Sequence, residues 1–213
     1  MRKLEENFKQ SGGKWQEFRV DELFTLCQTS KKLSGLDVSK SGTTPVYSSE
    51  SSNAGICGYT ESKPHFIITQ ENSMYVIFGD HTRTLNIAKE SFCIKDNVKV
   101  LIPKYKNIEI LLFIFSVWLK TIPNLGYARH WKVAKKSLIS LPVLPSRNEN
   151  KFEIAFEYME SYIKELEAER LEELEAYLLT TGLKDYKLTE QEKVILQDFA
   201  KLQNEDSKRG GGI

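Results

Sequence analysis

Leu141-Pro142-Val143-Leu144-Pro145-Ser146-Arg147-Asn148-Glu149 is the stretch on which the fold turns. Its two closely spaced prolines lack backbone N–H donors and push the residues before them toward extended geometry, so no helix crosses the segment. Ser146 and Glu149 have the spacing of a capping box, which predicts a new helix starting at once. No Gly or Pro follows until Gly182. A helix is therefore expected over 146–181, about 34 residues and about 50 Å long at about 1.5 Å per residue. That is too long for a small core, and the chain divides here into two parts of different design.

Upstream, 15–145 reads as a mixed α/β domain. The β-rich runs 65–69, 74–78 and 98–102 are bounded by Pro64, Gly79 and Pro103, and their aromatic and β-branched residues favour strands of a twisted, partly closed sheet. Asp21-Glu22-Leu23 starts a short helix, and the Ser-, Lys-, Gly- and Thr-rich stretch 31–52 is a surface loop region. Asn107 caps a core helix whose apolar run 108–119 is closed by Pro123. Residues 1–14, with Ser11-Gly12-Gly13, read as a flexible leader.

Downstream, Phe152, Phe156, Met159, Ile163 and Leu166 follow alternating spacings of four and three, and Leu171, Leu174 and Leu178 continue after a one-residue slip. This is a coiled-coil stripe. Glu165, Glu167, Glu169, Glu172, Glu173 and Glu175 around it form a solvated face. Thr189-x-x-Glu192 caps a final helix within 182–203, and 204–213, with Lys208-Arg209-Gly210-Gly211-Gly212, is a frayed tail.

The 213 residues are 40% hydrophobic and 28% charged, which suits one ordinary globular domain plus an appendage. The net charge of +1 conceals an asymmetry: residues 1–150 hold 21 basic and 14 acidic residues, a net of +7, and the remainder holds 9 and 15, a net of −6. A basic part suits a polyanion such as nucleic acid, from which the acidic part is repelled. The apolar run 110–119 is about half of the roughly 20 residues a membrane span needs. The polar start Met1-Arg2-Lys3-Leu4-Glu5-Glu6 is not an export signal. Cys27, Cys57 and Cys93, odd in number and far apart, are expected as buried thiols in a cytoplasmic protein.

Chemistry-bearing motifs are few. Phosphate-loop, dinucleotide, zinc-protease and serine-hydrolase signatures are absent. Glu61-Ser62-Lys63 matches the Glu-x-Lys end of metal-dependent nuclease sites, and equally an exposed turn before Pro64. His65, His81 and His130 do not combine with the cysteines in any metal-ligand spacing. Three stretches are richer. Pro45-Val46-Tyr47-Ser48-Ser49-Glu50-Ser51-Ser52-Asn53-Ala54-Gly55-Ile56-Cys57-Gly58-Tyr59 carries short hydroxyl and amide groups that reach phosphates and base edges. Phe78-Gly79-Asp80-His81-Thr82-Arg83 puts an arginine fork just after a strand, where it grips phosphate, reads guanine or simply makes a turn. Tyr127-Ala128-Arg129-His130-Trp131-Lys132, extended by Lys135 and Lys136, interleaves aromatics with cations, Trp131 fitting core or surface equally.

In this order, and followed by Leu141-Pro142-Val143-Leu144-Pro145 and a long helix, these stretches resemble the specificity (S) subunits of Type I restriction-modification systems and their Type IIB relatives. The likeness covers about residues 15–180. It implies a non-catalytic, sequence-specific DNA-binding subunit: an α/β target-recognition domain followed by a coiled-coil spacer helix that docks methyltransferase subunits. Family members carry two such domains and two helices, so this chain resembles a half S subunit, expected as a homodimer. The expected DNA-binding residues are Ser48, Ser49, Ser51, Asn53, Tyr59, His81, Arg83, Arg129, His130, Lys132, Lys135 and Lys136. Those of the dimer or partner helix are Phe156, Met159, Ile163, Leu166, Leu171, Leu174 and Leu178. The expected partners are double-stranded DNA, methyltransferase (modification) subunits and a restriction subunit. No cofactor is expected on this chain, because S-adenosylmethionine, ATP and Mg belong to those partner subunits. The rival readings are a small metal-dependent nuclease using Glu61 and Lys63, and a coiled-coil assembly protein with no DNA role.

Overall fold

The computed structural model describes residues 1–29, 31–146, 151–184 and 187–196. It divides into two compact units, Met1–Leu166 and Glu167–Ile213.

In the first unit, strands β1 (Lys14–Arg19) and β2 (Phe24–Cys27) flank a one-turn helix, α2 (Val20–Leu23); β3 (Thr44–Tyr47) and β4 (Ile56–Thr60) follow. Next come β5 (Tyr75–Gly79), β6 (Leu85–Ala88), β7 (Cys93–Ile94) and β8 (Val98–Pro103). Helices α3 (Ile108–Thr121) and α4 (Trp131–Ala134) lead to β9 (Leu138–Pro145) and β10 (Phe152–Ile154). Three sheets result, in the orders β2-β8-β5-β6, β4-β3-β7 and β1-β9-β10. All pairings are antiparallel except β3 with β7.

The four-stranded sheet organises the core because both its faces are apolar. Along β5, Val76 and Phe78 join the cluster beneath α3, and Tyr75 and Ile77 join the cluster with Tyr47, Phe66 and Phe92. Successive side chains of a strand point to opposite faces, so a continuous apolar run supplies two cores. Helix α3 starts where Asn107 Oδ1 accepts the Ile110 N–H at 2.9 Å. Its Trp118 is fully buried, stacked on Phe24 and Phe78, and donates Nε1–H to Ser137 Oγ at 2.9 Å. Trp131 packs on the same cluster, tilted against Phe78, so it belongs to the core edge.

Two expectations are corrected. Residues 1–14 are not a flexible leader: Arg2–Gln10 form a helix, α1, whose Phe8 is buried against Tyr158 with ring centroids 4.4 Å apart. The glycines terminate that helix, Gly12 at φ +77 and Gly13 beneath the Phe8 ring, where a Cβ would fall 2.4 Å from a ring carbon. Nor does the long helix begin at Ser146. Ser146 N–H donates to Lys151 O at 2.8 Å and its Oγ to Glu153 at 2.6 Å, closing a hairpin in which Phe152 pairs with Pro145. Glu149 lies outside the described residues. The helix, α5, is Phe156–Thr180, 25 residues and about 37 Å. Its Met159 and Ile163 are buried in the core of the first unit, and Phe156 packs against Tyr105.

In the second unit α5 ends as expected at Gly182, φ +69, with the Leu183 N–H returning to Leu178 O at 2.9 Å. Thr189 caps a helical turn, its Oγ1 accepting the Glu192 N–H at 3.3 Å. The helix described there reaches Leu196; its expected continuation and the tail over 204–213 lie outside the described residues. Among the described residues no helix is long and apolar enough to cross a membrane.

Candidate nucleic-acid interface

The turn joining β5 to β6 is the centre of the site. Gly79 N–H donates to Thr84 O and Arg83 N–H to Gly79 O, both at 2.9 Å. Only glycine fits at 79, because a Cβ would fall 2.5 Å from Thr84 Oγ1 and 2.6 Å from Thr82 Oγ1. Those hydroxyls lie 2.8 Å apart, and Arg83 takes a left-handed backbone, φ 60. The first serine-rich loop docks on this turn: Ser49 Oγ accepts the His81 N–H at 2.8 Å, and Thr84 Oγ1 donates to Glu50 O at 3.4 Å.

The third stretch arrives through a buried pair. Asp80 and His130 are 2% and 0% exposed. Asp80 Oδ1 accepts the Trp131 N–H at 2.7 Å, and Asp80 O accepts the His130 N–H at 2.8 Å. His130 Nδ1 lies 3.0 Å from that same carbonyl, and its Nε2 accepts the Leu125 N–H at 3.0 Å. A carbonyl only accepts and an amide only donates, so the imidazole is neutral with its proton on Nδ1. Above this pair the His81 ring stacks on Tyr127, centroids 4.7 Å apart and planes 8° from parallel, and Nδ1 lies 3.2 Å from Tyr127 O. The Tyr127 side projects into solvent, 88% exposed.

Cations surround the joined loops. Arg129 Nη2 lies 3.6 Å from Asp96, which also takes Lys32 Nζ at 2.6 Å. The Lys32 bond, helped by the Asn97 N–H and the charge of Arg129, holds the Asp96 carboxyl below the usual carboxylate range. Trp131 lines two grooves: one of about 270 Å³ with Lys32 and Lys99, the other of about 330 Å³ with Arg19, Lys135 and Lys136. Lys132, Lys135 and Lys136 are exposed.

The three stretches singled out in the sequence thus meet, but not every expected residue has a surface to offer. Ser49, His81, Arg83, Arg129, Lys132, Lys135 and Lys136 lie in or beside the joined loops, with Ser51 and Asn53 exposed in the first of them. Ser48 and His130 are corrections: both are buried, His130 with both ring nitrogens engaged inside the domain. Arg83 is partly committed, since its Nη1 donates to Ile122 O at 2.7 Å. Asn53 turns its amide back to Ile56 O at 3.1 Å. Tyr59 sits in β4, paired with Pro45 and bridged to Ser39 outside these loops. Sequence reasoning picks out neither Asp80 nor Tyr127 as a site residue. The sequence signal for Tyr127 is its place at the head of the stretch that interleaves aromatics with cations, and a lone aspartate after a strand signals nothing.

Glu61 and Lys63 are exposed in the turn after β4, and among the described residues no group of three His, Cys, Asp or Glu is placed to hold a metal. The cysteines are unpaired; Cys93 is buried, whereas Cys27 and Cys57 are half-buried rather than buried as expected. Burial pushes all three thiols up from their ordinary value, which favours the protonated form.

A mixed α/β domain whose loops gather hydroxyls, stacked aromatics and cations at one place offers the chemistry that nucleic-acid surfaces require. Residues 12–176 match the family of the Type I restriction modification DNA specificity domain, and the chain belongs to that family. Among solved structures, one from work on complex assembly and conformational transition of the type I R-M system is similar with a TM-score of 0.52 at 14% identity, covering 80% of this chain and 43% of that one. The S subunit from M. genitalium gives 0.49 at 16%, covering 78% and 42%, and the HsdS subunit from Thermoanaerobacter tengcongensis gives 0.43 at 11%, covering 73% and 38%. The chain spans less than half the length of each. No curated protein matches it in sequence.

Proposed function

We propose that this chain is a target-reading specificity subunit of a Type I restriction-modification system: it binds duplex DNA at a defined sequence and brings methyltransferase and restriction subunits to it. The observation that carries this reading is the convergence of three separate loop segments at the β5–β6 turn, where Ser49, His81 and Tyr127 interlock beside Arg129 and the lysines. Short hydroxyls and planar groups suit base edges, and mobile lysines suit phosphates. The chemistry lies elsewhere: S-adenosylmethionine, ATP and Mg act on the partner subunits, and this chain catalyses nothing.

Two paired copies of this reader would address a two-part target. Leu171 and Leu174, more than half exposed, and the partly exposed Leu178 supply an apolar stripe on the second unit. An antiparallel pairing of these helices as a coiled coil gives a symmetric dimer and a palindromic, interrupted target. Co-expression with the modification subunit, followed by sequencing of methylated DNA, tests both statements. One methylated motif made of two inverted halves is expected. Methylation without a motif overturns the DNA reading, and a one-part asymmetric motif with a monomer in light scattering overturns the pairing.

A further inference from the structure

Asp80 and His130 are unusual among the residues of this site: they are buried, polar and bonded to one another's segments inside the domain. The bonds between residue 80 and residues 130 and 131 tie one recognition segment to another. Asp80 lies on the β5–β6 turn, yet its carboxylate holds the Trp131 N–H and its carbonyl holds the backbone and ring of His130. His130 in turn reaches back to the Leu125 N–H. The Tyr127 loop is therefore fastened to residue 80 directly at residues 130 and 131, and at residue 125 through the His130 ring. Between the fastenings, Pro123 to Arg129 are exposed, and Gly126 takes φ +66 with nothing within 4 Å of a Cβ. The apolar core does not shape this loop; the fastening and the His81–Tyr127 stack do.

We propose that Asp80 and His130 are positioning residues for sequence discrimination. They hold Tyr127 and Arg129 in register with His81 and Arg83 so that the two loops present one rigid surface to the base edges, without either residue touching DNA. A ring displaced by about 1 Å loses directional contacts to base edges, whereas lysines meeting phosphates tolerate such shifts. Lys132, Lys135 and Lys136 lie outside the fastened loop, so non-specific affinity survives its release.

The inference rests on the DNA-reading function proposed above, and the test separates the two. The unmutated full chain is used to select a duplex from a random library; affinity is then measured for that duplex and for a scrambled one of equal length. Asp80→Ala and His130→Ala should lower the ratio of selected to scrambled affinity by about tenfold or more, the effect of one or two hydrogen bonds lost from the presented surface. Scrambled-duplex affinity should stay within about twofold. Asp80→Asn keeps Oδ1 as acceptor for the Trp131 N–H and should restore the ratio, which also covers the case in which the alanine variants fail to fold. If Asp80→Asn folds but loses discrimination, the carboxylate charge and not its acceptor geometry is at work, and the inference falls. It falls also if a folded alanine variant keeps the ratio, or if both affinities drop together. Failure of the unmutated chain to select any sequence sinks the functional reading itself, and this inference with it.

Discussion

Arg83 shows how a residue chosen for its chemistry is used first for architecture. Its guanidinium crosses from the β5–β6 turn to the carbonyl of Ile122 at the end of α3, and its backbone takes the left-handed region that non-glycine residues rarely occupy. Four donors remain for a ligand after that bond. Arg83→Ala leaves a partly buried carbonyl without its partner, and a urea titration should show stability falling by about 1–3 kcal/mol; an unmoved midpoint would mean that the contact contributes nothing. His65 carries a pH effect. Its Nδ1 accepts the Ile94 N–H at 3.3 Å, and burial, aided by the positive charge of Lys31, lowers its pKa from the ordinary 6.5. The unfolded chain then takes up the proton first, so this group's contribution is complete above about pH 6.5 and is lost as the pH falls through the lower folded value. Thermal midpoints should drop on going from pH 7 to pH 5, and His65→Gln should flatten that drop. The lowered carboxyls of Asp21, Asp37 and Asp96 act only at more acidic pH, as protonation proceeds below the usual carboxylate range.

At the scale of the element, α5 has two halves that one apolar stripe conceals. Its first turns are part of the domain: Met159 is fully buried, Ile163 nearly so, and Tyr158 packs at a tilt against Phe8 of α1. Farther along, the stripe residues Leu171 and Leu174 are 62% and 52% exposed. The two halves should respond differently to substitution. Met159→Ala should destabilise the domain by about 2–5 kcal/mol through lost burial and a residual cavity. Leu174→Glu should leave the unfolding midpoint in place and reduce the mass seen in light scattering, because a carboxylate in a paired seam is unsatisfied whereas on a lone helix it is solvated. A dimer that survives Leu174→Glu would move the pairing surface off this helix.

For the whole molecule, charge is the quantity that matters. The net of +7 over residues 1–150 and −6 over the remainder suits the first part, not the second, to the proposed polyanion. The cations beside the site are Arg129, Lys132, Lys135 and Lys136. If these neutralise four phosphates, the logarithm of affinity should fall with the logarithm of salt at a slope of about −3.6, roughly −0.9 for each phosphate. Lys135→Ala should reduce that slope by about 0.9 and weaken all sequences alike, and a slope near zero would remove phosphate contact as the basis of binding.

What this sequence determines by itself is whatever rests on local signals. Asn107 and Pro123 bracket α3, Gly79 and Pro103 close β5 and β8, Gly182 ends α5, and the order of the three loop stretches with the charge split picks out the loops proposed as the DNA surface. Caps, prolines and left-handed glycines act within a few residues, so they can be read without knowing what lies across the core. The tertiary structure decided the rest. A periodic stripe shows that a face is apolar but not what covers it, so only packing could divide α5 into a part buried in its own domain and a part left exposed. Polarity misled in the same way at α1, where one phenylalanine finding Tyr158 turns an expected leader into a docked helix. His130 has the residue type of a DNA contact and the position of an internal fastening. What separates the two is whether its ring nitrogens face solvent or the backbone of residues 80 and 125, and those long-range contacts exist only once the sheet has formed.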